Sequence, residues 1–400
     1  MFRPIAAITA ALLTAVCGVA GAETAHEFDI PNELGLDWPL ELIYVDLPEG
    51  IDGPLVADFG GHVRPVQVEE AKDESGRSVR RAWMLATVER GTERLGVPLR
   101  PGRADSPLRL WREDGYLHID NGVYSFRVPN YARVKLESPR PLSELPSPIA
   151  GMKLAGDDAW YGRSWWESDT PIAGATTTII SEGPVFVKVR LRLEAAEPVD
   201  GGEGFYEAEM RFVADDPWVD IKESYNLPDG SAHWLVLRDE LKPEKVMWIP
   251  WFGFERFGGN TDLRFHDLRP QSKQRGPFVT LQPRWTQRPG AGQDFFVTRG
   301  GQTDPGDIDY DADSPAVGVI ASYPTKWIRG PREVINAWAE EGDTARVEFS
   351  TPTGGRSYAV VVGERSRFDT TSRMNNIVRR HTDWTLNDQI HHYILSWQRD

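Results

Sequence analysis

The stretch WYGRSWWESDT, residues 160–170, sets Trp160, Tyr161, Trp165 and Trp166 within seven positions, with Arg163 among them and Glu167 and Asp169 close behind. Flat rings interleaved with a guanidinium can stack on the C–H face of a sugar while the polar groups hold its hydroxyls. The rings do not fit period two as a set, so they cannot all face one core. Buried indoles pinning a loop onto a sheet would use the same residue types. Both readings stay open. Fifteen tryptophans in 400 residues raise the same choice for the whole chain.

A second constellation lies in MWIPWFGFERFGGNTDLRFHDLRP, residues 247–270. It begins as a strand and runs into a segment carrying Arg256, Asn260, Arg264, His266 and Arg269. SKQRG adds Lys273 and Arg275, and QPRWTQR adds Arg284 and Arg288. A cleft lined by arginines suits the carboxylate of a uronic acid, because the guanidinium fork matches it. Elimination at a uronate needs a neutraliser for the carboxylate and a base for the C5 proton. Arg264 or Arg256 would serve as the first, His266 or Tyr161 as the second. Trp160, Arg163, Trp165, Trp166, Asn260 and Arg269 would hold the substrate. Surface ion pairing with Asp262 and Asp267 is the plainer alternative for these arginines.

Two other clusters are weaker. DPGDIDYDADS, residues 304–314, crowds aspartates, and Asp307, Asp309 and Asp311 could wrap a calcium ion with oxygens. The glycine and closing glutamate of an EF-hand loop are missing, so a solvated acidic loop with no metal is expected. No other cofactor is implied. RRHTDWTLNDQIHH, residues 379–392, carries His381, His391 and His392 without a metal-binding spacing, and reads as structural or interfacial. There is no G-x-S-x-G elbow and no P-loop; FGGN at residues 257–260 is too short to cradle phosphate.

The elements that must position these residues are strands. In PVFVKVRLRLE, Val185, Val187, Val189, Leu191 and Leu193 alternate with Lys188, Arg190, Arg192 and Glu194. GFYEAEMRFVAD sets Tyr206, Ala208, Met210 and Phe212 against Glu207, Glu209 and Arg211, and WVDIKESYNL follows the turn DDP. These are three successive half-buried antiparallel strands. Further strands are expected at LELIYVDL, VRRAWMLATV, LRLWRED, YLHIDNGVYSFRVP, KVMWIPWF, DFFVTRG, AVGVIASY, TARVEFS and YAVVVGE, with Asn121–Gly122 signalling a hairpin. The fold class is therefore mostly β: a large antiparallel, supersandwich-like β-sandwich over residues 106–365, preceded by a small β-rich module over 23–105. Two long connections, roughly 138–175 and 258–293, carry the first two constellations. TLNDQIHHYILSW, residues 385–397, has a capping pattern and apolar residues at helical spacing, so 366–400 reads as a helical tail whose apolar face needs a partner.

The remaining residues bound where such a protein works. Arg3, the apolar run IAAITAALLTAVCGVA and the small residues AGA at 20–22 read as a signal peptide over 1–22, too short to be a membrane span. Val16 before Cys17 is too bulky for a lipid-attachment site. The only cysteine leaves with the leader, so disulfides are excluded and a large core must stabilise the fold. A secreted or periplasmic protein is expected. The formal net charge of −15 argues against nucleic acid and anionic lipid, and no other apolar run would insert in a membrane.

The rhythm TTTIISEGPVFVKVRLRLE followed by FYEAEMRFVADDPWVDIKESYNL resembles the mutarotase-like β-sandwich and the N-terminal sheet domains of exo-acting rhamnogalacturonan lyases. The resemblance spans about residues 106–230. It implies sheets that bind or flank a polysaccharide, beside a helical toroid that completes the cleft; the tail would suit entry into that helical partner. No catalytic position of those families maps onto this chain. The resulting expectation is a secreted carbohydrate-active protein that acts on or binds a polysaccharide, uronate-containing if the arginines meet a carboxylate; as an enzyme it would be polysaccharide lyase-like, or else a glycoside hydrolase. The alternative is a non-catalytic carbohydrate-binding or envelope scaffold protein.

Overall fold

A computed structural model of the chain describes residues 26–31, 38–73, 75–88, 94–160 and 162–228, and twelve further stretches of strand between 232 and 364. Among the described residues the protein is mostly β, in several antiparallel sheets. The leader over 1–22 and the helix expected over 385–397 lie outside them.

The first seven strands are β1 (His26–Pro31), β2 (Trp38–Leu47), β3 (Leu55–Phe59), β4 (His62–Pro65), β5 (Gln67–Lys72), β6 (Ser78–Val88) and β7 (Arg94–Pro101). They form one sheet in the order β1-β7-β3-β4 and another in the order β2-β6-β5. Ile43, Val45, Ala82 and Met84 face Ala57, Val97 and Leu99 and make the core between them. The alternate positions Leu42, Tyr44, Trp83 and Leu85 are apolar too, because they pack on Val185, Phe186, Val213 and Ala214 of the next sheet. This explains why LELIYVDL and RRAWMLATV read as nearly continuous apolar runs: their sheet is a middle layer, buried on both faces. Gln67 seals the seam. Its Oε1 accepts from the backbone N–H of Val185 (3.2 Å) and Phe186 (2.9 Å), and its Nε2 donates to Ser181 Oγ (2.9 Å).

Then come β8 (Arg109–Glu113), β9 (Tyr116–Asp120), β10 (Tyr124–Pro129), β11 (Val134–Pro141), β12 (Gly151–Leu154), β13 (Arg163–Glu167), β14 (Pro171–Glu182), β15 (Phe186–Ala195), β16 (Phe205–Val213) and β17 (Trp218–Asn226). The last twelve are β18 (Ala232–Arg238), β19 (Lys245–Ile249), β20 (Leu263–Asp267), β21 (Gln274–Gly276), β22 (Phe278–Gln282), β23 (Trp285–Gln287), β24 (Phe295–Val297), β25 (Ile308–Tyr310), β26 (Pro315–Ala321), β27 (Ile335–Ala339), β28 (Ala345–Phe349) and β29 (Gly355–Glu364). An eleven-stranded antiparallel sheet runs β11-β14-β15-β16-β17-β29-β26-β22-β19-β20-β24. A four-stranded sheet, β12-β10-β9-β8, packs on it, and a five-stranded sheet, β13-β18-β28-β27-β21, adjoins that one through a bridge between Met152 and Gly162. The main core fills the space between: Val187, Val189, Leu191, Leu193, Tyr206, Met210 and Phe212 of the large sheet meet Leu117, Ile119, Tyr124, Phe126 and Val128 of the small one. The outward positions of β15 and β16 form a charge ladder, with Arg190 on Glu209 (3.1 Å) and Arg192 on Glu207 (3.2 Å) and Glu203 (2.7 Å).

Two expectations are corrected. Residues 138–175 are no long loop: the end of β11, a short 3-10 turn (Leu142–Glu144), β12, β13 and the start of β14 occupy them. Residues 258–293 likewise contain β20, β21, β22 and β23. Short strands with little apolar alternation, such as GMKL and QRG, carry no period-two signal of their own and are recruited by pairing to longer neighbours.

Candidate functional site

The four-stranded sheet has a core face and an outer face, and register decides what stands on each. The β9–β10 hairpin sets it. Gly122 adopts φ +93°, and a Cβ there would meet Pro107 at 2.8 Å, so only glycine fits. The buried Asn121 accepts from Val123 and Tyr124 N–H and donates to the carbonyls of Val213 (2.6 Å) and Asp216 (2.7 Å), tying the turn to the large sheet. With the hairpin so fixed, Leu110, Ile119, Phe126 and Met152 form one row across the strands, directed at the core.

The row one residue along faces outward. Trp111 pairs with His118, His118 with Arg127, and Arg127 with Gly151. Gly151 presents no side chain, and Trp160 lies over it: a Cβ at 151 would meet the Trp160 ring at 2.9 Å and collide with Arg127. The indole of Trp111 stacks on His118 with ring centres 5.0 Å apart and planes 15° apart. Trp160 (5.8 Å, tilted) and Tyr116 (6.4 Å, edge-on) close around the same imidazole. The Arg127 guanidinium sits over both Tyr116 (4.9 Å) and Trp160 (4.6 Å), with Nε donating to the Ala150 carbonyl (3.0 Å). Lys153, from the neighbouring row Arg109–Asp120–Ser125–Lys153, places Nζ 5.2 Å from the centre of the Trp160 ring and donates to the Asp157 carbonyl. Trp111 is 39% exposed, so much of the ring remains open to solvent. Its Nε1 donates to Glu113 (3.3 Å).

His118 is sealed beneath these rings. It is 7% exposed, and neither ring nitrogen has a side-chain hydrogen-bond partner. Burial pushes its pKa below the ordinary value and the Arg127 charge adds to this, against the opposing pull of Glu113 and Asp114. The neutral imidazole therefore behaves as one more flat ring in the stack.

The residues singled out from sequence separate. Trp160 joins the outer row. Trp166 is corrected from a ligand-facing ring to a core anchor: it is 2% exposed and meets Tyr206 edge-to-face, with ring centres 4.4 Å apart. Arg163 is exposed at the start of β13, opposite Arg238, and Trp165 pairs with Val236 in the same ladder. Tyr161 lies outside the described residues, as do Arg256, Asn260 and Arg269. Arg264 and His266 stand two apart on β20, in register with Trp248 and Val246 of β19. Asp309 is on β25, opposite Thr286; Asp307 and Asp311 lie outside the described residues. Trp111, Tyr116, His118, Arg127 and Lys153 were missed. The signal existed: Tyr116, His118 and Asp120 alternate with Leu117 and Ile119, and the Asn121–Gly122 turn places Arg127 beside His118. Among the described residues no group of three or more His, Cys, Asp or Glu is arranged to hold a metal, and no helix is long and apolar enough to cross a membrane.

No family model and no curated protein matches the chain. Solved structures similar to it include an α-mannosidase from Enterococcus faecalis V583, at 9% identity over 86% of this chain and 42% of that one, with a TM-score of 0.33. A protein of glycosyl hydrolase family 38 from Enterococcus faecalis matches at 10% identity over 89% and 44%, with a TM-score of 0.34. A family 36 α-galactosidase from Geobacillus stearothermophilus, solved with raffinose, matches at 10% over 64% and 40%, with a TM-score of 0.31. This chain thus spans less than half the length of each of these proteins, and all three are described as glycoside hydrolases or glycosidases, with no lyase among them.

Proposed function

We propose that this chain is a carbohydrate-binding protein of the carbohydrate-active class, and that it holds a polysaccharide on the outer face of the four-stranded sheet. The observation that carries the reading is Trp111. A partly exposed tryptophan on the outermost strand of this sheet, backed by a flat imidazole, offers a rigid surface on which a pyranose ring could stack. Tyr116, Arg127 and Lys153 stand alongside to take hydroxyls or charged substituents. A leader over 1–22 puts the protein in the periplasm or outside the cell, where polysaccharides are met. Binding of this kind needs no cofactor.

The finer reading is a lyase. The base takes the C5 proton of a uronate whose carboxylate is neutralised by arginine; the C4–O bond breaks, a C4–C5 double bond forms, and the departing oxygen is protonated. Arg264 or Arg256 would neutralise, and His266 or Tyr161 would act as base. Binding without turnover is the second reading, and it rests on the outer-face rings alone. A panel of polysaccharides read for both retention and ultraviolet-absorbing unsaturated ends separates the two. Retention lost in Trp111→Ala, with unchanged melting, supports the platform. Retention equal to wild type rejects it. Unsaturated product lost in His266→Ala supports the lyase; product formed as before rejects that assignment.

A further inference from the structure

Lys153 and Arg127 converge on one indole. Both cationic groups lie about 5 Å from the centre of the Trp160 ring, and neither has a carboxylate partner among the described residues. The contrast with the opposite side of the sandwich is physical. There Arg190 and Arg192 also stand outward on a strand, yet each is met by glutamates at 2.7–3.5 Å. In a protein with 60 acidic and 45 basic side chains, carboxylates for pairing are plentiful. On the outer sheet face the nearby acids are otherwise engaged: Glu113 accepts from the Trp111 indole, and Asp120 accepts from Ser125 (3.2 Å) and the Gly122 N–H (2.9 Å).

The two cations are also held in place. Arg127 is clamped between Tyr116 and Trp160 with Nε on the Ala150 carbonyl, which leaves its terminal nitrogens as donors. Lys153 is tethered by the Asp157 carbonyl in the turn that brings Trp160 back over Gly151. A preorganised pair of cations on the same sheet face as the exposed Trp111 ring matches a ligand that is flat and apolar on one side and anionic on its edge.

We propose that this face selects an acidic glycan: Trp111 stacks on a sugar ring, and Lys153 with Arg127 takes an anionic substituent, carboxylate or sulfate, of the same or the next residue. The inference rests on the platform reading above and specifies its ligand. The test is calorimetric titration of the full mature chain with three probes: an oligogalacturonide, a sulfated galactan, and the same galactan desulfated. Each is run on wild type, Lys153→Met, Lys153→Arg and Trp111→Ala, with thermal melts as a check on folding. The expected result is tighter binding of at least one anionic probe than of the desulfated galactan, weakening as salt rises. Lys153→Met should then lose about tenfold on that probe, with Lys153→Arg restoring most of it. Whichever anionic probe shows the loss identifies carboxylate or sulfate as the group read. Equal binding of the desulfated galactan, or an anionic probe unaffected by Lys153→Met, overturns the charge selection while leaving the platform intact. Binding that survives Trp111→Ala at full strength, or no binding of any probe by wild type, overturns the platform and this inference with it.

Discussion

Trp166 and Trp111 are both tryptophans on strands of the same sandwich, and truncating each to alanine should give opposite outcomes. Trp166 is 2% exposed and edge-on to Tyr206, so Trp166→Ala empties a core site. Burying an indole of roughly 200 Å² contributes about 5 kcal/mol. The ring contact adds about 1 kcal/mol. Against this, the Trp166 Nε1 donor is buried with no partner, and removing it returns about 2 kcal/mol. The net loss is about 4 kcal/mol, within the range of about 3–5 kcal/mol for large-to-small aromatic truncations. With a urea dependence of about 3 kcal/mol per molar, the unfolding midpoint should fall by about 1.3 M. Far-UV circular dichroism in a urea series reads it. Trp166→Phe keeps most of the ring and sheds the unsatisfied donor, and should stay within about 1 kcal/mol of wild type. Trp111→Ala should leave the midpoint within about 0.3 M. A shift below about 0.3 M for Trp166→Ala would show that the ring does not anchor this core, and the division between anchor and platform would fail.

Three further outcomes follow from named contacts. Gln67→Ala strips the acceptor from two buried backbone donors at the seam and should cost about 1–3 kcal/mol by scanning calorimetry; an unchanged melt would contradict the seam as described. Gly151→Ala forces a methyl into the space held by Trp160 and Arg127 and should destabilise by about 1–3 kcal/mol while weakening glycan retention; a neutral effect on both would mean Trp160 does not lie there. His118 has a folded pKa below its unfolded value, so the unfolded chain binds more protons in the window beneath pH ~6.5. Its contribution to stability is present in full above that window and is lost as pH falls through the folded pKa. The stability gap between wild type and His118→Phe should therefore narrow or reverse in favour of the variant on acidification; a gap independent of pH would refute a neutral buried imidazole.

What was legible in the sequence is what alternation encodes. β15, β16 and β17 emerge directly, because one face of each is apolar and the other charged, and the large sheet puts those faces where the pattern says. The continuous runs in β2 and β6 were readable as strands, but not as a middle layer, since their second apolar face is explained only by Phe186 and Val213 more than a hundred residues away. β12 and β13 were hidden because GMKL and RSWWE take their conformation from pairing partners rather than from their own residues. The tryptophan-rich stretch answered its own question only in part: Trp166 is core, Trp160 is surface, and no spacing rule separates two indoles six residues apart when a strand begins between them.

The outer row shows how a site can be written in register rather than in a motif. Trp111, His118, Arg127 and Gly151 are scattered over forty-one positions, and none is conspicuous alone. One hairpin of fixed length, two antiparallel pairings and one missing side chain bring them into a line, with Trp160 filling the place that Gly151 leaves. A slip of one residue of β10 against β9 would turn Arg127 into the core and Phe126 out to solvent while His118 stayed on the outer face, so the same burial that stabilises the sandwich also fixes the row. Stability and the geometry of the proposed platform are thus coupled through Asn121 and Gly122. An Asn121→Ala variant, which leaves Val123 and Tyr124 N–H without their acceptor, should lose both folding free energy and glycan retention. Retention that survives while stability falls by more than about 1 kcal/mol would separate the two, and would mean that the row is held by packing against the large sheet alone.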